Sequence, residues 1–259
     1  MNKGITFYYG YKIDYKERVK LISEAGFDAV MTNPDDRFLA QNGTMEEQIE
    51  LFKKFNLKPT SLHNQYKTPE LPNFWLEGEI GDRLEKTLIG DILTAKKYGF
   101  RCVVVHMVGK YSKVGEERLL RVLKECEKNN VALAVENIDT QDPIIDIFKN
   151  VSHPYLKFCY DAGHNNCFDP EYDYLEKYGD KLVCLHLHDN NGKADEHTLN
   201  KFGTIDWDNI AKKFAKIKHI EDVSLDYELL MYGGQRVSAD ECLKETFKQA
   251  VELEQKILY

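Results

Sequence analysis

Ten residues with oxygen or nitrogen donors are spread along the chain in a suggestive order. They are His63, His106, Glu136, Asp161, His164, His186, His188, Asp195, His197 and Glu228. Imidazole and carboxylate ligands without thiolates suit Mn, Co, Zn or Mg rather than an iron–sulfur centre. Six of the eight histidines fall in this set; His153, beside Pro154, and His219 read as helix- or loop-associated surface residues. One His or Glu of this kind is usually a hydrogen-bonded structural residue. The set matters only if something brings it together. Inward carboxylates would then repel unless a cation or proton compensated.

The elements needed to gather them can be read from hydropathy. Short apolar runs occur at 4–8, 27–32, 58–63, 102–107, 132–137, 157–162, 182–188 and 223–229. Helix-period segments follow near 15–25, 44–56, 79–98, 115–129, 143–150, 171–179, 206–217 and 238–256. Eight strand–helix units in 259 residues match a single (β/α)8 TIM barrel of about 250 residues, so 1–259 reads as one domain. A doubly wound open sheet would want a glycine-rich phosphate turn after its first strand, and Tyr8-Tyr9-Gly10-Tyr11 is not one. Gly26 and Gly99 sit where helix C-caps are wanted, and Thr44 with Glu46 and Glu47 reads as a helix start.

In such a barrel, chemistry sits at the C-terminal strand ends. The donors fall there: His63 on the third strand, His106 on the fourth, Glu136 on the fifth and Asp161 on the sixth. His186 and His188 end the seventh strand and Glu228 the eighth. Alternation puts Cys102, Val104, Ala132, Ala134, Cys159 and Cys184 on the inward face below them. Leu133, Val135, Phe158, Tyr160, Val183, Leu185 and Leu187 then face the helices.

Composition narrows the partners. With 35 Lys+Arg against 43 Asp+Glu, the net charge of −8 supplies no long-range positive field for nucleic acid or an anionic membrane. A hydrophobic fraction of 42% supports a sizeable core. Six cysteines without a C-x-x-C pair argue against a disulfide scaffold or thiolate zinc finger. The N-terminal residues form no secretory signal and no run approaches transmembrane length, so a soluble cytoplasmic protein is expected.

These pieces resemble the xylose isomerase-like TIM-barrel superfamily, which groups sugar phosphate isomerases and epimerases with endonuclease IV. The resemblance covers essentially the whole chain. It rests on Ala-Val-Glu-Asn (134–137), Asp-Ala-Gly-His (161–164), His-Leu-His-Asp-Asn-Asn-Gly (186–192), Asp-Glu-His (195–197), Gly-Thr-Ile-Asp-Trp (203–207) and Tyr-Glu-Leu (227–229), in that order.

In the isomerase and epimerase branch the resemblance implies one divalent ion on Glu136, Asp161, His186 and Glu228. It also implies proton transfer through a metal-stabilised enediolate, with Glu136 and Glu228 as base and acid. His164 and His188 would contact a small carbohydrate. In the endonuclease IV branch His63, His106, His164, Asp195 and His197 join the set, which permits one to three ions. A zinc phosphodiesterase or an inosose-type dehydratase is therefore the alternative. Ketose epimerases in this group carry Glu and Arg where this chain has Asp142 and Gly192, so the resemblance points to the wider class. The loop after His63 reads as a lid in which Phe74 and Trp75 either stack on a sugar or pack onto the rim. Lys193 is either an anion contact or an exposed loop residue. Arg37 either contacts an anion or pairs with Asp35 or Asp36. A homo-oligomer is compatible with this reading.

Overall fold

Eight strands form from the eight apolar runs. They are β1 (Lys3–Thr6), β2 (Ala29–Thr32), β3 (Lys58–His63), β4 (Cys102–Val105), β5 (Ala132–Glu136), β6 (Leu156–Asp161), β7 (Leu182–His186) and β8 (Leu225–Tyr227). The structure, a computed structural model, describes residues 1–66, 68–139, 141–230 and 236–259; the Asp142 side chain also lies outside the described residues. All strands pair in parallel in the order β7-β6-β5-β4-β3-β2-β1-β8. The ends meet just past β7, where the Leu187 amide donates to the Asp226 carbonyl and the Glu228 amide donates to that of Leu187. This is a nearly closed, single (β/α)8 barrel.

Helices alternate with the strands: α1 (Tyr15–Glu24), α2 (Asp36–Asn42), α3 (Met45–Lys54), α4 (Glu79–Tyr98), α5 (Lys113–Asn129), α6 (Asp142–Asn150), α7 (Ala162–Phe168), α8 (Tyr174–Tyr178), α9 (Trp207–Phe214) and α10 (Ala239–Leu258). Their ends follow local chemistry. Thr44 and Glu47 close a reciprocal capping box on α3. Gly99 ends α4 in the left-handed region at φ 83°. Two helices fall outside the sequence reading. Both α2 and α7 are seven residues long and begin on an Asp whose side chain caps the first turn.

The core has two layers. Cys102, Val104, Ala134, Cys159 and Cys184 fill the barrel interior. Val103, Val105, Leu133, Val135, Phe158, Tyr160, Leu185 and Leu187 pack outward against the helices. Val183 departs from the expected alternation and packs against the inner cluster. The cause is an irregularity in β7: Phe158 pairs with Leu182 but Cys159 pairs with Cys184, which leaves Val183 as an extra residue. Among the described residues no helix is long and apolar enough to cross a membrane.

Candidate metal centre

Glu136, Asp161 and His186 are the last residues of β5, β6 and β7, and Glu228 directly follows β8. Asp161 and His186 are register partners on adjacent strands. All four side chains offer ligand atoms within 4.8 Å of one another. His186 Nδ1 lies 3.2 Å from Glu136 Oε1 and 3.2 Å from Glu228 Oε2. Neither approach has hydrogen-bond geometry, and Glu136 Oε1 and both His186 ring nitrogens are buried without a hydrogen-bond partner. Buried donors that converge without satisfying one another fit a cation bound by oxygen and nitrogen.

Two more histidines flank Glu136. His63 Nε2 and His106 Nε2 stand 3.2 and 3.1 Å from Glu136 Oε2. His63 Nδ1 lies 2.8 Å from the Asn64 carbonyl. A carbonyl only accepts, so Nδ1 carries a proton and donates to it, which leaves Nε2 as the atom that faces Glu136. Asn64 is held in turn through its Nδ2, which donates to Asp91 on α4.

A second donor group adjoins the first. His164, His188, Asp195 and His197 bring ligand atoms within 4.8 Å of one another. His164 Nδ1 donates to the Asn137 carbonyl at 3.0 Å and His197 Nδ1 to the Glu228 carbonyl at 2.9 Å. Their Nε2 atoms then face Asp195 Oδ2 at 3.5 and 3.0 Å. His188 stacks on His197 with ring centroids 3.8 Å apart, and its Nε2 lies 3.1 Å from Asp161 Oδ2.

Charge sharing follows from this crowding. Burial lowers the His186 pKa, but Glu136 and Glu228 override it and carry the group well above the usual imidazole range. Burial likewise opposes the upward shift of His164, which Asp161, Asp195 and Glu136 impose. Burial would raise Glu136, yet His186 and His106 hold it well below the carboxylate range. The carboxylates favour the protonated imidazoles beside them and the imidazoles favour the ionised carboxylates. Cation binding must therefore expel protons.

The sequence motifs now have physical reasons. Asp161 serves twice, as a candidate ligand and as the N-cap of α7, accepting from the His164 amide at 2.6 Å. Gly163 allows α7 to lie on His188, because a Cβ there would sit 1.9 Å from the ring. Asn137 stitches β5 to β6: its Nδ2 donates to the Asp161 carbonyl and its Oδ1 accepts from the Asp161 amide. Asp189 anchors the loop bearing Asp195 and His197. Its Oδ1 accepts from the Thr204 and Ile205 amides at 2.9 and 3.1 Å, and its Oδ2 from Trp207 Nε1 at 2.7 Å. Gly203 is needed beside it, since a Cβ would meet Asp189 Oδ1 at 1.8 Å. Sequence reasoning assigned no role to Asn137, Asp189 or Gly163.

A cavity of about 350 Å³ opens above the donors. His63, His106, Glu136, His164, Asp195, His197 and Glu228 line it, with Tyr66, Leu71 and Phe168 among the other walls. Phe168 is 43% exposed and lies 5.6 Å from the His164 ring, one helical turn away on α7. Of the two readings for Trp75, packing onto the rim is the one seen: it is only 1% exposed and lies outside the cavity lining. It packs where Gly109 and Gly115 leave room and against Tyr111. The loop is not a free lid, because the buried Arg118 guanidinium donates to the Phe74 and Leu76 carbonyls. Phe74 is buried with it. His188 is fully buried beneath the cavity lining rather than in it. Lys193 is exposed on the 191–196 turn, also outside the lining. Arg37 is 77% exposed and pairs with Asp35 at 3.2 Å.

Comparison with known proteins agrees with this architecture. Residues 19–233 match the xylose isomerase-like TIM barrel family, and the chain belongs to that family. An uncharacterized protein of Methanocaldococcus jannaschii, MJ1614, is 28% identical over 81% of this chain and 82% of its own. The uncharacterized protein y4fM of Sinorhizobium fredii is 35% identical, over 35% of this chain and 31% of its own. A D-tagatose 3-epimerase-like protein superposes with TM-score 0.76 at 19% identity, covering 99% of this chain and 100% of that one. The IOLI protein with a bound zinc atom superposes with TM-score 0.74 at 17% identity, covering 100% and 99%. D-psicose 3-epimerase with D-tagatose from Clostridium cellulolyticum H10 gives TM-score 0.74 at 17% identity, covering 100% and 99%. At these identities the likeness to solved structures is one of fold.

Proposed function

We propose that this chain is a divalent-metal-dependent isomerase or epimerase of a small sugar, sugar acid or sugar phosphate. One observation carries the reading: Glu136 and Glu228 each approach the same His186 nitrogen at 3.2 Å, and both line a cavity of about 350 Å³. That volume suits a monosaccharide-sized ligand. The solved structures of similar fold include proteins titled as sugar 3-epimerases and one with bound zinc, which supports the same class.

Glu136, Asp161, His186 and Glu228 would hold the ion. A divalent ion there would polarise a carbonyl and its neighbouring hydroxyl and offset the negative charge that builds as a proton leaves carbon. One of the two glutamates takes the proton from the carbon beside the carbonyl; the other returns one to the opposite face or to the neighbouring carbon. His164 Nε2 faces the cavity and orients a substrate hydroxyl. The apolar walls at Leu71 and Phe168 exclude water and support a sugar face. Proton exchange from deuterated water into a panel of monosaccharides tests this. Exchange is expected from the Mn-, Co-, Mg- or Zn-loaded protein, and its survival in both Glu136→Gln and Glu228→Gln would refute the assignment.

The second donor group favours one other reading, a zinc phosphodiesterase of the endonuclease IV type. His164, His188, Asp195 and His197 together exceed what one ion needs. Elemental analysis separates the two: three zinc ions per chain with incision of abasic DNA supports the phosphodiesterase, whereas one ion per chain supports the isomerase.

A further inference from the structure

Three thiols lie beneath the metal-ligand ring, inside the barrel. Cys102, Cys159 and Cys184 belong to the inner cluster with Val104 and Ala134, and all three are buried. Cys184 is two residues before His186 on β7 and so shares its inward face. The sulfurs of Cys159 and Cys184 and a ring nitrogen of His186 lie within 4.8 Å of one another. Cys102 also lies against Cys184. His186 Nδ1 is directed at Glu136 and Glu228, yet neither of its ring nitrogens has a hydrogen-bond partner. From the N-terminal end of the barrel, a separate cavity of about 300 Å³ reaches this layer. Cys102 and Cys184 line it beside Ser61, Ser224 and Asp226, and Ser61 Oγ is buried there without a hydrogen-bond partner.

We propose that Cys159, Cys184 and His186 form a second cation site, for a thiophilic ion such as Cd(II) or Cu(I), entered from the floor of the barrel. The donors differ in kind from those of the rim. Thiolates and imidazole select soft or borderline cations, whereas carboxylates favour hard ones. Ala132 and Ala134 are the thiols' small neighbours in the same layer. Binding replaces two S–H bonds and one imidazolium N–H bond of His186 with two sulfur–metal bonds and one nitrogen–metal bond; the three protons leave to solvent and no oxidation state changes. His186 is common to both groups, so occupation of the thiol site draws on a rim ligand. That last consequence rests on the proposed function, while the thiol site itself does not.

The probe is Cd(II), titrated into the full chain after metal removal with thiols kept reduced. A sulfur-to-cadmium charge-transfer absorbance saturating near one equivalent is expected. Each of Cys159→Ser and Cys184→Ser should lower it and weaken Cd(II) binding by more than about tenfold. Mn(II) binding, followed by its electron paramagnetic resonance signal, should persist in both variants. No charge-transfer absorbance in the unmodified protein overturns the proposal. So does an undiminished absorbance in both single variants, which would place the cadmium on other cysteines. If the variants fold poorly, the signal of the unmodified protein decides. In the unmodified protein, a thiol signal with no Mn(II) binding would count against the rim assignment alone.

Discussion

The two donor groups at the rim are built on different foundations. Glu136, Asp161, His186 and Glu228 stand at or beside the ends of four consecutive strands, fixed by the barrel's own hydrogen bonds. His164, His188, Asp195 and His197 stand on a seven-residue helix and on the segment after β7. Their positions depend on the side chains of Asp161 and Asp189, which replace the strand ladder as anchors, and on the main-chain carbonyls of Asn137 and Glu228 that accept from His164 and His197. A site on strand ends is placed by topology, and a site on loops must be placed by polar side chains that spend their hydrogen bonds on it. The first group should therefore resist local damage that disables the second.

The largest expected effect falls on the strand-borne carboxylates. Glu136→Gln and Glu228→Gln should each lower proton exchange by about 10²–10⁴-fold while far-UV circular dichroism stays unchanged. Next comes a pH effect tied to the support of His63. Burial raises the Asp91 pKa to about 6 in the folded protein. The folded state then holds a proton that the unfolded state has already lost, so stability should fall as pH rises from about 4 to about 6. The loss should be about 3 kcal/mol at most. Asp91→Asn should flatten that part of the curve in urea melts at several pH values.

Two substitutions aim at the loop-borne group. Gly163→Ala forces a Cβ into the His188 ring and should destabilise the fold by about 1–3 kcal/mol. Metal titration should show weaker binding at the second group with the first retained. Asp189→Asn turns one acceptor into a donor among four donated hydrogen bonds and should cost about 1–3 kcal/mol. It should also raise hydrogen exchange across 190–207 and leave the strand ends protected. The smallest effects belong to Arg37→Ala and Lys193→Ala. Each should change stability by less than about 0.5 kcal/mol and leave turnover within error.

Much of this was legible in the residues. The strands were readable as short apolar runs, and in β5 an inward small residue alternates with an outward large one, as in Ala132-Leu133-Ala134-Val135. The rim donors followed by continuing that alternation to the strand ends. What escaped was tertiary in origin. The α7 helix contains Gly163, Asn165 and Asn166, weak helix formers, and holds its place through the Asp161 cap and its packing on His188. Val183 was misplaced because a bulge leaves no mark in an apolar run. Trp75 looked available in a polar loop, yet Arg118, forty-odd residues later, binds that loop's carbonyls and turns the indole inward. Phe168, one turn after His164, could be found only once the helix was known.

The central claim is that the strand-borne group holds the ion beside which the proton moves. Crystals grown with Mn(II) and a non-reacting polyol, with anomalous scattering recorded at the manganese edge, test it directly. An anomalous peak bounded by Glu136, Asp161, His186 and Glu228, with polyol oxygens against it, is expected. A peak confined to His164, His188, Asp195 and His197, or no peak at either group, would contradict it.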